Sequence, residues 1–211
     1  MTKKYQNIYF DLDGTISDSY KGIENGIHFA LEKVGVNAIS SDEIKSIIGT
    51  PLTQSLKKYC LNDDNKTKEA VDFFREYYTL KGIMESELYP DIYELLAWTS
   101  GFYKLFVITA KPTIYAIRIL EFHNVAKFFT EIKGCELNGI NFKKSDLMRP
   151  VNKNSESLII GDKKQDIEAG KEIGIKTCGV LYGYGTEKEI KESKPDFIAA
   201  SIMDLKNILS F

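Results

Sequence analysis

The sequence predicts an α/β fold in which a parallel sheet carries helices on both faces and an all-helical lobe is inserted near the start of the chain. Three observations carry that expectation: short apolar runs alternating with helical stretches beyond residue 88, an unbroken helical pattern before it, and polar residues where the apolar runs stop. With 211 residues the chain is long for one compact unit and short for two. That suits a core domain of residues 1–16 and 89–211 holding a helical cap domain of residues 17–88.

The first element is Asn7-Ile8-Tyr9-Phe10, a short run dominated by apolar residues of the kind that makes a fully buried strand. Asp11-Leu12-Asp13-Gly14-Thr15 follows at once. Alternation on leaving the strand turns Asp11 and Asp13 to one side and Leu12 to the other, and Gly14 permits a sharp exit. Two carboxylates in one small space repel each other, which a divalent cation or a shared proton relieves. A nucleophile and an acid/base are the two roles open to such a pair. By themselves these five residues fit a polar turn equally well, so the later elements decide.

Residues 20–34 put Ile23, Ile27, Ala30, Leu31 and Val34 at helical spacing and stop at Gly35. A second helix starts at Ser41-Asp42-Glu43, breaks at Gly49-Thr50-Pro51-Leu52 and gives way to a third through Leu56 and Tyr59. A longer helix over 64–80 follows, and no strand is expected in this block. Alternation then begins: a helix over 92–98, a strand over 104–108, a turn at Thr109-Ala110-Lys111-Pro112 and a helix over 114–122. A weak strand over 131–134 and a short helix near 145–151 come next. A buried strand over 157–160 ends in Gly161-Asp162 and leads to a helix through Ile173, short strands over 177–181 and 196–198, and a last helix. Strand and helix in repetition make the sheet parallel and Rossmann-like, with its carboxyl edge as the place for ligands.

Composition narrows the function. With 43% hydrophobic and 12% aromatic residues the chain can bury a sizeable core. Lys+Arg 28 against Asp+Glu 30 gives a net charge of -2, and the basic residues are scattered, which argues against nucleic acid as the main partner. Cys60, Cys135 and Cys178 are odd in number and lack metal-type spacing, so they read as reduced thiols. No apolar stretch has the length of a signal peptide or a membrane span. The expectation is a soluble cytoplasmic protein with no membrane partner.

One sheet edge would then gather Asp11 and Asp13 from the first strand, Thr109 from the second, and Asp162 with Asp166 from a later one. Such a cluster needs positive charge, from a hard divalent ion with oxygen ligands, Mg²⁺ foremost, and from a lysine. Thr109 is expected to open a helix whose N-terminal amides favour a phosphate.

In this order the pieces resemble the haloacid dehalogenase superfamily over nearly the whole chain: DxDGT at Asp11 to Thr15, a strand ending in Ser or Thr at Thr109, and GDxxxD at Gly161 to Asp166. The remaining motif of that family is a lysine, matched by Lys144 in FKKSDL, with Lys143 the adjacent alternative. GTPL at Gly49 to Leu52, FREYY at Phe74 to Tyr78, TAKP at Thr109 to Pro112 and GYG at Gly183 to Gly185 make the chain similar to the phosphoglycolate phosphatase-like group with a helical cap. One departure is that residues 144–161 form a shorter segment than the family usually has. The resemblance implies a Mg²⁺-dependent phosphatase acting on a small, phosphoglycolate-like phosphate monoester, with a sugar-phosphate mutase or an inorganic pyrophosphatase as alternatives. It also implies roles: Asp11 as a nucleophile that becomes an aspartyl-phosphate, Asp13 as acid/base, Thr109 bonding a phosphoryl oxygen and Lys144 orienting Asp11. The cation would be held by Asp11, Asp13 through its carbonyl, Asp162 and Asp166. Gly49, Thr50, Arg75, Ala110 and Lys111 are the candidates for substrate contact. The partner is then a small phosphorylated metabolite, and the chain a monomer or homodimer.

Each candidate has a plainer counterpart. Arg75 fits a surface salt bridge, the commoner fate of a helix arginine, and Lys111 and Lys144 fit solvated lysines at helix starts. Asp162 and Asp166 fit an N-cap and a first-turn acid, and His28 and His123 fit structural positions. A receiver-type signalling domain also phosphorylates an aspartate at a sheet edge, but without the insertion or DxDGT. A catalytically idle protein of the same fold stays open.

Overall fold

The apolar run that opens the chain becomes the central strand, β1 (Asn7–Phe10), buried from Ile8 to Phe10. The computed structural model describes residues 4–137, 143–148 and 156–210. After β1 come β2 (Ser17–Asp18), α1 (Tyr20–Lys33), α2 (Ser41–Ile47), α3 (Leu52–Lys57), α4 (Asp64–Leu80) and β3 (Glu87–Leu88). The alternating part runs α5 (Ile92–Ser100), β4 (Lys104–Pro112), α6 (Thr113–Phe122), β5 (Phe129–Cys135), α7 (Lys144–Met148), β6 (Ser157–Gly161) and α8 (Lys164–Ile173). It closes with β7 (Lys176–Val180), α9 (Glu187–Glu192), β8 (Phe197–Ala199) and α10 (Ile202–Leu209).

Six strands form one parallel sheet in the order β5-β4-β1-β6-β7-β8. Strand β1 lies between β4 and β6, with Phe10 opposite Val107 on one side and Ile160 on the other. Alternation splits the core in two. Ile8, Phe10, Leu105, Val107, Leu158 and Ile160 pack into the larger cluster, while Tyr9, Ile108 and Ile159 face the smaller one. Burying a side chain of this size contributes about 1.5–3 kcal/mol, so these three strands hold the carboxyl edge of the sheet rigidly.

Helices α1 and α4 carry the helical block, each with an apolar stripe: Ile23, Ile27 and Leu31 on one, Val71, Phe74 and Tyr78 on the other. Ser40 and Glu43 close a capping box on α2, and the Asp63 carboxylate accepts from the Asn65 and Lys66 amides at the start of α4. Among the described residues no helix is long and apolar enough to cross a membrane.

The structure corrects the sequence reading in three places. The block expected to lack strands begins and ends on one: β2 and β3 pair antiparallel, Ser17 opposite Leu88 and Asp18 opposite Glu87. Two residues are too few to show a period, so the ribbon leaves no trace in the pattern. Thr109-Ala110-Lys111-Pro112 is extended strand rather than a turn, with Pro112 opposite Cys135 after a register shift. The residue before a proline is pushed away from helical geometry, which keeps Lys111 extended. Helix α6 therefore starts at Thr113, not at Thr109, and its first amides do not converge there. Of the helix expected near 145–151, α7 accounts for the first part and residues 149–151 lie outside the described residues, as do residues 152–155 of the segment expected to be short.

Candidate active site

Because β4, β1 and β6 are neighbours and run the same way, Thr109, Asp11 and Asp162 meet at one edge. Asp11 follows β1 directly, and its amide donates to the Ile160 carbonyl at 2.9 Å. Asp162 follows β6. Between them the chain turns at Gly14, where φ is +85° and a Cβ would stand 2.3 Å from Asp162 Oδ2, so only glycine fits both backbone and neighbour.

Asp11, Asp162 and Asp166 are all buried and offer carboxylate oxygens within 4.8 Å of one another. Lys144 is the cation among them: its Nζ lies 3.0 Å from Asp11 Oδ1 and donates to Asp166 Oδ1. Burial alone would lower the Lys144 ammonium, but the two adjacent carboxylates outweigh it and hold the group above the ordinary lysine range. Lys143, the alternative, points elsewhere and pairs with Glu172 at 2.6 Å. Asp166 also accepts from the Lys163 amide at 3.0 Å, and its carboxyl is raised, first by burial and against the pull of Lys144. The Asp162 carboxyl is pushed up to about 8 by burial and by the charges of Asp11 and Asp166. It accepts from the amides of Tyr184 at 2.7 Å and Gly185 at 3.3 Å, and from the Thr15 hydroxyl at 3.4 Å.

With all three carboxyls ionised, one ammonium leaves this buried space two charges short of neutral, and every donor is a hard oxygen. That set fits a small divalent cation such as Mg²⁺, whose charge would close the deficit. Asp13 takes no part in the triad: its Oδ2 lies 3.0 Å from Lys111 Nζ, and its Oδ1 is buried with no hydrogen-bond partner.

Lys111, a candidate for substrate contact, is not a surface lysine. It is buried, donates to the Tyr78 hydroxyl at 2.8 Å, and lies 4.6 Å from the Tyr78 ring centroid. The Thr109 hydroxyl oxygen accepts the Lys111 amide at 3.1 Å, which leaves the hydroxyl proton to point at a ligand. Gly49, Thr50 and Ala110 line the same cleft as Asp11 and Asp13. The Thr50 hydroxyl is already bonded to the Ile47 carbonyl at 2.6 Å and to Ser55. Arg75 also lines the cleft, but the salt bridge is what the structure forms: Arg75 meets Asp72 at 3.7 Å and donates to the Leu137 carbonyl. His28 and His123 are bonded to the Ile39 carbonyl and to Ser86, at 3.1 and 2.9 Å, and stand apart from the site.

Two residues with no place in the sequence reading of the site stand out. Tyr78 brings a hydroxyl from α4 down to Lys111. Tyr184 anchors Asp162 through its amide, while its own hydroxyl donates to Asp18 and accepts from the Ser19 amide, both at 2.8 Å. The sequence does carry a signal for the second in Gly183-Tyr184-Gly185, because flanking glycines mark a backbone that passes close to something.

A sequence profile of haloacid dehalogenase-like hydrolases matches residues 8–180. The chain is similar to a 5'-nucleotidase of Pseudomonas aeruginosa, 32% identical over 213 residues that cover 98% of this chain and 96% of the relative. It is similar to a phosphoglycolate phosphatase of Vibrio parahaemolyticus, 31% identical over 221 residues covering 96% of this chain and 95% of the relative. Among solved structures, a haloacid dehalogenase-like family hydrolase from Streptococcus pneumoniae superposes with a TM-score of 0.89 at 30% identity, covering 98% of this chain and 99% of that one.

Proposed function

The chain belongs to the haloacid dehalogenase-like hydrolase family and is a phosphoric monoester hydrolase, and on that premise we propose that it acts with Mg²⁺ on a small phosphate monoester through a phosphorylated Asp11. The observation that carries this reading is the buried triad of Asp11, Asp162 and Asp166 with Lys144 as its one ammonium. Asp11, Asp162, Asp166 and the Asp13 carbonyl would hold the cation, which would supply neutralising charge for the phosphoryl oxygens.

Asp11 attacks phosphorus in line; its bond to phosphorus forms as the bond to the ester oxygen breaks. Asp13 gives its proton to the departing oxygen, then takes one from the water that cleaves the aspartyl-phosphate. Lys144 fixes the orientation of the Asp11 carboxylate. The Thr109 hydroxyl donates to a phosphoryl oxygen, a contact of the kind whose loss slows turnover by roughly a hundredfold or more. Residues 17–88 serve as the cap that excludes water, with Gly49, Thr50 and Ala110 forming the wall of the cleft beside the reacting group.

The test is phosphate release from p-nitrophenyl phosphate and a panel of monoesters in Mg²⁺, with acid-labile phosphate trapped on the protein. Free phosphate separates a hydrolase from a mutase that returns the group to a sugar. If no ester of the panel releases phosphate, the reading fails.

A further inference from the structure

The space that would receive the leaving group lies between Asp13 and the helical block, in a cleft that opens to solvent. Its walls are mainly apolar away from the sheet edge: Ile23 and Ile27 from α1, Leu52 from α3, Phe74 and Tyr78 from α4, and Tyr115 from α6. The Phe74 and Tyr78 rings stack at 5.2 Å, and Tyr115 meets Tyr78 edge-on at 5.5 Å.

Among the described residues two cations reach this lining, and both are committed. Lys111 is bound by Asp13 and by the Tyr78 hydroxyl. Arg75 is bound by Asp72 and by the Leu137 carbonyl. A carboxylate on the leaving group would thus be stripped of water against apolar walls and meet no unpaired cation there. A flat ring would extend the existing aromatic set by stacking or edge contact.

Resting on the phosphatase reading above, we propose that the preferred leaving group is neutral and carries an aromatic ring, so that the site selects ring-bearing phosphate monoesters over carboxylated ones such as phosphoglycolate. Specificity then comes from α1, α3, α4 and α6, while the sheet edge handles the phosphoryl group common to every substrate.

The test uses a matched pair of non-hydrolysable ligands, 2-phenylethylphosphonate and 3-phosphonopropionate, which are the methylene counterparts of benzyl phosphate and phosphoglycolate. Calorimetry on the full chain with Mg²⁺ should find the phenyl ligand at least tenfold tighter, and kcat/KM for benzyl phosphate should exceed that for phosphoglycolate by a similar factor. Equal affinities, or the reverse order, would overturn the proposal. Leu52→Arg, at a half-buried position on the cleft wall, supplies an uncommitted cation and should cut the preference at least fivefold. An unchanged preference in that variant would also count against the argument from charge. Failure of the underlying reading looks different: no ester releases phosphate, the leaving-group claim falls with it, and the phosphonates still rank by their walls.

Discussion

Replacing Asp162 by asparagine should make the metal-free protein more stable at pH 8, although it weakens the cation site. The Asp162 carboxyl is fully buried, and burial first, then the charges of Asp11 and Asp166, raise its pKa from 3.8 to about 8. A group raised in the folded state binds its proton more tightly there than in the unfolded chain. Its stabilisation is therefore complete below about pH 4 and is lost as pH climbs through about 8. At about 1.4 kcal/mol for each tenfold change in proton affinity, the loss across that window approaches roughly 5 kcal/mol. The asparagine amide keeps the shape and still offers an oxygen to the Tyr184 amide, but it does not titrate. Asp162→Asn should accordingly exceed wild type by about 3–5 kcal/mol at pH 8 in EDTA, on the order of 10 °C in Tm for a chain of this size. At pH 4 the two should melt together. Thermal unfolding followed by circular dichroism at both pH values decides the matter. A variant that gains nothing over wild type at pH 8 in EDTA, or the same gain at pH 4 as at pH 8, would refute the reasoning. Saturating Mg²⁺ should reverse the order, because wild type gains the binding energy of the cation and the variant gains less.

Asp11→Asn should abolish turnover and trapped acid-labile phosphate while leaving the fold intact, as judged by an unchanged circular dichroism spectrum; normal turnover would end the covalent mechanism. Activity should vanish in EDTA, return with Mg²⁺ and be suppressed by Ca²⁺, which takes more ligands at longer distances and so alters how Asp11 is held; full activity after exhaustive chelation would remove the role given to Asp162 and Asp166. Lys144→Met should destabilise the metal-free protein at pH 8 by about 3–5 kcal/mol, the usual effect of stranding a buried charge, measurable by urea unfolding. In Gly183→Ala a Cβ would stand 2.3 Å from both Asp162 Cβ and the Gly14 carbonyl oxygen, so the Asp162 side chain must shift, and kcat should fall on the order of a hundredfold.

What the sequence made legible follows from the length of each signal. Strands buried on both faces, such as β1 and β6, announce themselves as unbroken apolar runs, and the carboxylates that follow them are then placed by topology alone. Lys144 is legible only as the charge that a cluster of acids demands. Lys111 was harder, because a lysine before a proline at a strand end reads as surface. What buries it is Tyr78, thirty-three residues earlier and in the other half of the molecule. The commitment of Arg75 has the same character: its partners are one helical turn away and across the cleft. Local pattern specifies elements, whereas these contacts exist only once the helical block sits over the sheet.

The two-residue ribbon of β2 and β3 has a consequence for modularity. Antiparallel partners stand about 5 Å apart, so Asp18 and Glu87 arrive side by side however long the chain between them. To the sheet, residues 19–86 amount to a loop already tied at its neck. Its length can change at a closure entropy that grows only logarithmically, and no strand pairing of the six-stranded sheet is disturbed. A two-residue Asn-Gly turn from Asp18 to Glu87 would finish the hairpin where the helices stood. The neck is thus a graft point in the covalent chain: a helical block of another length can enter there with the pairings of the six-stranded sheet unchanged, provided that it restores the face Tyr78 presents to Lys111 and Tyr115.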